Sequence, residues 1–181
     1  MARRAIASPS PTVSAGALPE IVHGWESLDR LLADDRFPWM AIEHWEEVAL
    51  DKAEIHLDMD WPQYAEMERR GQFRVWTTRV DGALAGYIFW FIRPHMHYKS
   101  TPHALCDVFY LDPAFRQGLT GYFMFERCLA VIKQAAGVPT DKVMRIYLGD
   151  KLHMRGEGAT IATLFARLGF RAVEVVHTKL L

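Results

Sequence analysis

At 181 residues the chain is long enough for one domain with a proper core and too short for two of ordinary size. Half of the residues are hydrophobic and 12% are aromatic, which points to a packed globular fold. Basic and acidic residues number 21 and 22, for a net charge of -1, so the basic excess that usually marks a nucleic-acid binder is missing and such a partner is not expected.

Residues 1–19 are rich in Ala, Ser and Pro and hold few bulky apolar groups. Such a stretch buries too little surface to offset its ordering entropy and is expected to be a flexible tail ahead of a single domain over residues 20–181. From residue 20 to 72 the pattern is helical. Ser27 is placed to cap a helix carrying Leu28, Leu31 and Leu32, and Trp39, Ile42, Trp45 and Val48 suggest further apolar helical packing. Trp61-Pro62 opens a clearer helix in which Tyr64 and Met67 share a face, ending at Gly71.

The period then changes. Residues 73–80 and 84–92 read as strands joined by Asp81-Gly82, a strong hairpin signal. Residues 93–102, with two prolines, read as a loop, and residues 103–111 as a third strand. A long helix over 115–136 ends at Gly137, and a strand follows over 142–148. A last helix over 157–168 stops at Gly169, and a last strand runs over 170–179. Helices, a hairpin and then β-α-β-α-β predict a mixed α/β domain, with N-terminal helices and a largely antiparallel sheet holding a central parallel crossover.

No stretch approaches the ~20 apolar residues of a membrane helix. Arg3 and Arg4 are not followed by an apolar run of signal-peptide length, so neither membrane nor export is expected. Cys106 and Cys128 lack CxxC spacing, which fits the reducing cytoplasm better than a disulfide or zinc scaffold.

The chemistry is concentrated where the third strand meets the long helix, in Val108-Phe-Tyr-Leu-Asp-Pro-Ala-Phe-Arg-Gln-Gly-Leu-Thr-Gly121. Gly118 and Gly121 let the backbone approach a ligand, and the first helical turn offers unpaired N–H groups with a favourable dipole. Arg116 adds positive charge. A pyrophosphate suits such a place, and an ordinary strand-to-helix connection explains it equally.

Leu111-x-Pro113-x-x-Arg116-x-x-Leu119-x-Gly121 resembles the central motif of the GNAT superfamily of acetyl-CoA-dependent acyltransferases. Leu164-Phe-Ala-Arg-Leu-Gly-Phe-Arg171 and the residues after it are similar to that family's closing helix, Gly-Phe turn and strand. The run from His103 to Leu111 is similar to a subgroup often met in bacteriophage genomes. The resemblance implies a strand splayed from its neighbour, with the coenzyme in the slot. Backbone groups of Phe109 and Leu111 would hold the pantetheine arm, and Arg116, Gln117, Gly118, Thr120 and Gly121 the pyrophosphate. It also implies direct acetyl transfer to an amine, on a small molecule or a protein, without a metal. A homodimer is left open. Three positions depart from the pattern. Leu119 stands where the family usually has the first loop glycine, Gly158 where it often has Asn, and Phe165 where a Tyr often serves as acid. They keep open a second reading, a weak or inactive GNAT-fold domain that binds coenzyme A or a protein.

An amine nucleophile needs a base. Asp107 is the first candidate, sharing a face with Leu105 and His103 by strand alternation, against the plain alternative of an edge carboxylate. His103 is the second, because its ordinary pKa suits proton removal near neutrality. His95, His97 and His103 lack a carboxylate at a recognised ligand spacing, so no metal is expected. Alternation sets Cys106 opposite Asp107, in the core rather than in acyl-enzyme chemistry. Trp39, Trp45 and Trp61 fit core packing better than an acceptor pocket.

Overall fold

In the computed structural model, which describes residues 18–132, 143–150 and 161–180, the first element is a strand and not a helix. β1 (Ile21–Glu26) pairs antiparallel, residue for residue, with β2 (Phe73–Val80). Ile21, Val22 and Trp25 suit a strand, and pairing with a distant partner overrides the weak local pattern. Readings that rest on residues 1–17, Gly137 and residues 151–160, Gly158 among them, lie outside the described residues.

The helices that follow agree better. α1 (Leu28–Leu32) is capped by Ser27, whose Oγ accepts from the Arg30 N–H at 3.2 Å, and it buries Leu28 and Leu31. α2 (Phe37–Val48) buries Phe37, Met40 and His44, while Trp39 and Ile42 stay 40% and 47% exposed. The expected apolar face is therefore turned around. Phe37, edge-on to Tyr87 and Trp61, fixes the rotation, because the helix meets the sheet through that residue. α3 (Trp61–Arg69) starts on an Asp60 cap to the Gln63 N–H and is followed by Gly71 at φ 69°.

Asp81 and Gly82 both take positive φ, 48° and 80°, and turn β2 into β3 (Ala83–His95). β3 and β4 (Tyr98–Leu111) form one long hairpin that absorbs the loop expected over residues 93–102. Pro94 stands opposite Pro102. β2 has already ended at the Phe73–Phe91 pair, so the Pro94 end of β3 has no β2 partner to supply with a donor.

A one-turn helix (Pro113–Phe115) leads to α4 (Thr120–Ile132), which starts later than the expected residue 115. β5 (Arg145–Tyr147) runs parallel to β4, and α5 (Ile161–Arg167) follows. The sheet order is β1-β2-β3-β4-β5, antiparallel except for the last pair. The fold is mixed α/β as expected, with its parallel pair at an edge of the described sheet rather than at its centre. Residues 170–179, expected as a last strand, have no strand assignment among the described residues and leave Val173, Val175 and Val176 exposed. β5 is only three residues long, a short edge on which to build a ladder.

Apolar side chains cover both faces of the sheet. On one, Trp76, Ile88, Trp90 and Cys106 meet Met124, Phe125, Cys128 and Ile132 of α4 and Phe165 of α5. On the other, Phe73, Val75, Tyr87, Phe89 and Tyr110 meet α1 and α2. Both faces of β3 are thereby buried, as its unbroken apolar run requires.

Candidate functional site

β4 pairs with β5 only at His103, Ala104 and Leu105, and runs on to Leu111 with no second strand beside it among the described residues. Asp112 donates its N–H to the Ala85 carbonyl at 2.8 Å, continuing the β3–β4 ladder. Bonded and non-bonded pairs alternate along an antiparallel ladder. Phe109 and Leu111 therefore fall at non-bonded positions opposite Ile88 and Gly86, and their backbone groups turn to the side that β5 has left.

The register of β4 shifts between Val108, opposite Phe89, and Cys106, opposite Trp90. Asp107 is the extra residue. A bulge re-aims the side chain it carries and swaps the parity beyond it. Phe109 and Leu111 consequently pack on the α4 face, and Val108 and Tyr110 on the α1–α3 face. Asp107 points to α3, where the Tyr64 hydroxyl donates to its Oδ2 at 3.0 Å. Burial, and then the adjoining Asp107 carboxylate, hold the Tyr64 phenol well above its ordinary pKa, so it is a fixed donor.

His103 lies four residues back on β4, roughly 13 Å along an extended chain, so the two candidate bases are not brought together. It is 7% exposed, and its Nδ1 is buried without a hydrogen-bond partner among the described residues. The rings of His95, Tyr98 and Tyr147 surround it at 5.1, 6.1 and 5.7 Å between centroids. Burial, then the neighbouring His95 and Arg145, lower its pKa. Cys106 is buried as expected, and burial pushes its thiol far above the ordinary value, which rules out a ready thiolate.

Beyond β4 the strand exit is firmly held. Asp112 caps the Pro113 turn through the Ala114 N–H and pairs with Arg36 at 2.7 Å. Gly118 adopts φ 80°, a conformation that favours glycine, and Leu119 beside it is 57% exposed. Phe123 makes the first helical bond, to the Leu119 carbonyl, and the α4 amides ahead of it belong to the turn a helix leaves unpaired. A Cβ on Gly121 would meet only Leu111 Cδ2, at 3.6 Å. Gly118, Thr120 and Gly121 thus gather where β4 gives way to α4. Arg116 has other partners: both of its terminal nitrogens bond Glu47 of α2, at 2.7 and 2.6 Å, and its Nε donates to the Leu111 carbonyl at 2.7 Å.

Sequence reasoning missed the polar groups that α2 and α3 bring to this strand. Tyr110 donates to Glu43 at 3.0 Å and lies under the Arg116 guanidinium, while His44 bonds the Tyr87 hydroxyl at 3.2 Å. The spacing of Glu43 and Glu47, one helical turn apart, was the available signal, but without the helix rotation it pointed to solvent. Trp39 and Trp45 do not enter the buried core, whereas Trp61 packs on Phe37 and Tyr64. Phe165 is buried against Phe109, Phe125 and Phe170.

No family model matches the chain, and no curated protein does. Solved structures do match. An aminoglycoside acetyltransferase from an uncultured soil metagenomic sample superposes with a TM-score of 0.64 at 11% identity, covering 89% of this chain and 97% of that one. Ribosomal-protein-alanine N-acetyltransferase of Brucella melitensis biovar Abortus 2308 gives 0.60 at 11% identity, covering 90% and 99%. A predicted acetyltransferase of Clostridium acetobutylicum, solved with acetyl-CoA, gives 0.57 at 11% identity, covering 88% and 96%. The chain has the GNAT acyltransferase fold.

Proposed function

We propose that the protein is an acetyl-CoA-dependent N-acetyltransferase that passes the acetyl group directly to an amine. The observation that carries this reading is the open edge of β4, where Phe109 and Leu111 turn their backbone groups outward just before the first turn of α4. An extended amide-bearing arm could pair with that edge as a strand would, with its phosphates at Gly118, Thr120 and Gly121. When bound, the thioester supplies an acyl group whose carbonyl carbon the amine attacks as the C–S bond breaks. Asp107, exposed on the bulge beside the open edge, would take the proton that the amine sheds. His103 is the weaker base candidate, buried in the half of β4 that β5 covers. Phe165 has no proton to give, so the thiolate would be protonated from solvent. Arg116, held by Glu47, would serve mainly to fix the loop unless phosphate draws it away. Several solved neighbours act on amines, but their acceptors do not name this chain's.

Titration of the full chain with acetyl-CoA and CoA, followed by thermal melting, tests the site, because a ligand that binds the native state must raise the melting point. Gly121→Glu sets bulk and negative charge at the helix start. It should abolish the shift while the free protein still folds and melts cooperatively, because a Cβ at this half-buried position meets only Leu111 Cδ2, in ordinary contact at 3.6 Å. Full affinity in that variant would move the phosphate site elsewhere. Binding without transfer to any of a panel of amines would favour the non-catalytic reading, to which the buried Phe165 lends weight.

A further inference from the structure

We infer that Glu47 is a positioning residue for coenzyme binding: through Arg116 it fixes the loop that leads into α4, so that Arg116 holds the loop and leaves the phosphates to backbone N–H groups; the inference rests on the acetyl-CoA reading. Three observations converge on it. The first is how fully the guanidinium is engaged. Its terminal nitrogens meet the two Glu47 oxygens at 2.7 and 2.6 Å, fork to fork, and its Nε donates to the Leu111 carbonyl at 2.7 Å. All three nitrogens are thus bonded within the protein, and the group lies over the Tyr110 ring, 5.3 Å from its centroid. To reach a phosphate, Arg116 would have to give up two charge-assisted bonds and one to the backbone.

The second is the place of the pair in the chain. Arg116 stands between the Pro113–Phe115 turn, to which its own N–H is bonded, and Gly118 at φ 80°. Fixing residue 116 therefore fixes the point from which the chain enters residues 118–121 and the first turn of α4. The third is that one helix holds the loop from both of its ends. Arg36, the N-cap residue of α2, pairs with Asp112 at 2.7 Å, and Glu47, in the last turn, pairs with Arg116. Positions 36 and 47 lie roughly 16 Å apart along a helix, so the two ties set the tilt of the loop as well as its distance from α2. Glu43, one turn before Glu47, accepts from the Tyr110 hydroxyl at 3.0 Å and so steadies the ring beneath the guanidinium. The Arg116 and Glu47 side chains are 36% and 34% exposed, so their pair adds little to global stability, and its worth is read in the order of the loop.

The test is a double-mutant cycle on the full chain: wild type, Glu47→Gln, Arg116→Gln and the double variant, with Arg116→Lys beside them. Each is titrated with acetyl-CoA by calorimetry well below its melting point, and each is melted. Glu47→Gln and Arg116→Gln should each weaken acetyl-CoA binding by about three- to tenfold, the range of a partly exposed charge-assisted pair. The double variant should bind no more weakly than either single one, because both changes undo one unit. Arg116→Lys keeps the charge but loses the fork, so it should bind as weakly as Arg116→Gln. Wild-type or tighter binding in Glu47→Gln, or losses that multiply in the double variant, overturns the inference. Wild-type affinity in Arg116→Lys does so too, because charge near the phosphates would then matter and the fork would not. A lower melting point with unchanged affinity would make the pair a fastening of the fold alone and likewise overturns it. No binding of acetyl-CoA at millimolar concentration by the wild-type protein overturns the reading beneath it and the inference with it.

Discussion

From His103 to Leu105 β4 lies between β3 and β5, and from Cys106 to Leu111 it has β3 alone beside it among the described residues. The covered half hides an imidazole and presents little to solvent but Leu105. The open half carries the exposed carboxylate and the outward backbone. A strand edge without a partner is usually a liability, since it invites pairing with whatever extended chain comes by. Here the open half is held through its faces instead. Below it, Phe109 rests on Phe125 and Phe165; above it, Tyr110 bonds Glu43 and Arg116 spans from Leu111 to Glu47. The difference teaches that a sheet can keep an edge free for a ligand if packing does the work that the ladder does elsewhere.

The largest expected effect breaks that support. Phe125→Ala, at a residue 2% exposed, should cost about 3–5 kcal/mol and also weaken acetyl-CoA binding, because Phe109 loses its platform. Ile132→Ala, at the buried far end of the same helix, should cost about 2–5 kcal/mol and leave the affinity as it was. Denaturant melts and acetyl-CoA titrations of the two variants separate general stability from support of the open half. Equal losses of affinity would mean that the edge does not depend on its own face packing.

A smaller change reaches the open half through its partner strand. A Cβ on Gly86 would lie 2.8 Å from the Tyr110 carbonyl oxygen and 3.0 Å from Leu111 Cδ1. Backbone cannot yield as a side-chain tip does, so Gly86→Ala should cost about 1–3 kcal/mol and displace Leu111. Gly24→Ala, on the far strand with open space around its Cβ, should change stability by no more than about 0.5 kcal/mol. Matching melts for the two variants would remove close strand approach as the reason for a glycine at position 86.

Much of the fold could be read locally. The Asp81-Gly82 turn, the Ser27 cap and the buried run of β3 each follow from residues within a few positions of one another. β1 was misread because its pairing lies some fifty residues away in β2. At the site, the loop from Pro113 to Gly121 announced itself by its glycines and its place between strand and helix. The bulge did not, because an unbroken alternation of residue types does not reveal an inserted one. Once Asp107 occupies it, every side chain beyond changes face, which is why residue 109 and not 108 meets α4. Tyr64 was visible only as part of a helix face shared with Met67. That its hydroxyl ends on Asp107, 43 positions on, depends on the rotation of α3 over β2 and β3, which no local pattern encodes.

The smallest effect belongs to the covered half of β4. Burial, then His95 and Arg145, lower the pKa of His103 from 6.5, and its Nδ1 has no partner among the described residues to stabilise a proton. The unfolded chain therefore binds a proton at a higher pH than the folded one does. Stability from this group is complete above the unfolded value and declines as pH falls from there towards the folded one. His23 is lowered too, by burial and Arg127, and adds a decline of the same sign. His103→Phe should remove only its own share, so its melting point should fall less than that of wild type between about pH 7.5 and about pH 5.5. Acetyl-CoA affinity at the higher pH should not change, because the open half is untouched. A lost affinity would place His103 in the ligand site and erase the division between the two halves, while an unaltered slope would show that its imidazole titrates as freely in the folded chain as in the unfolded one.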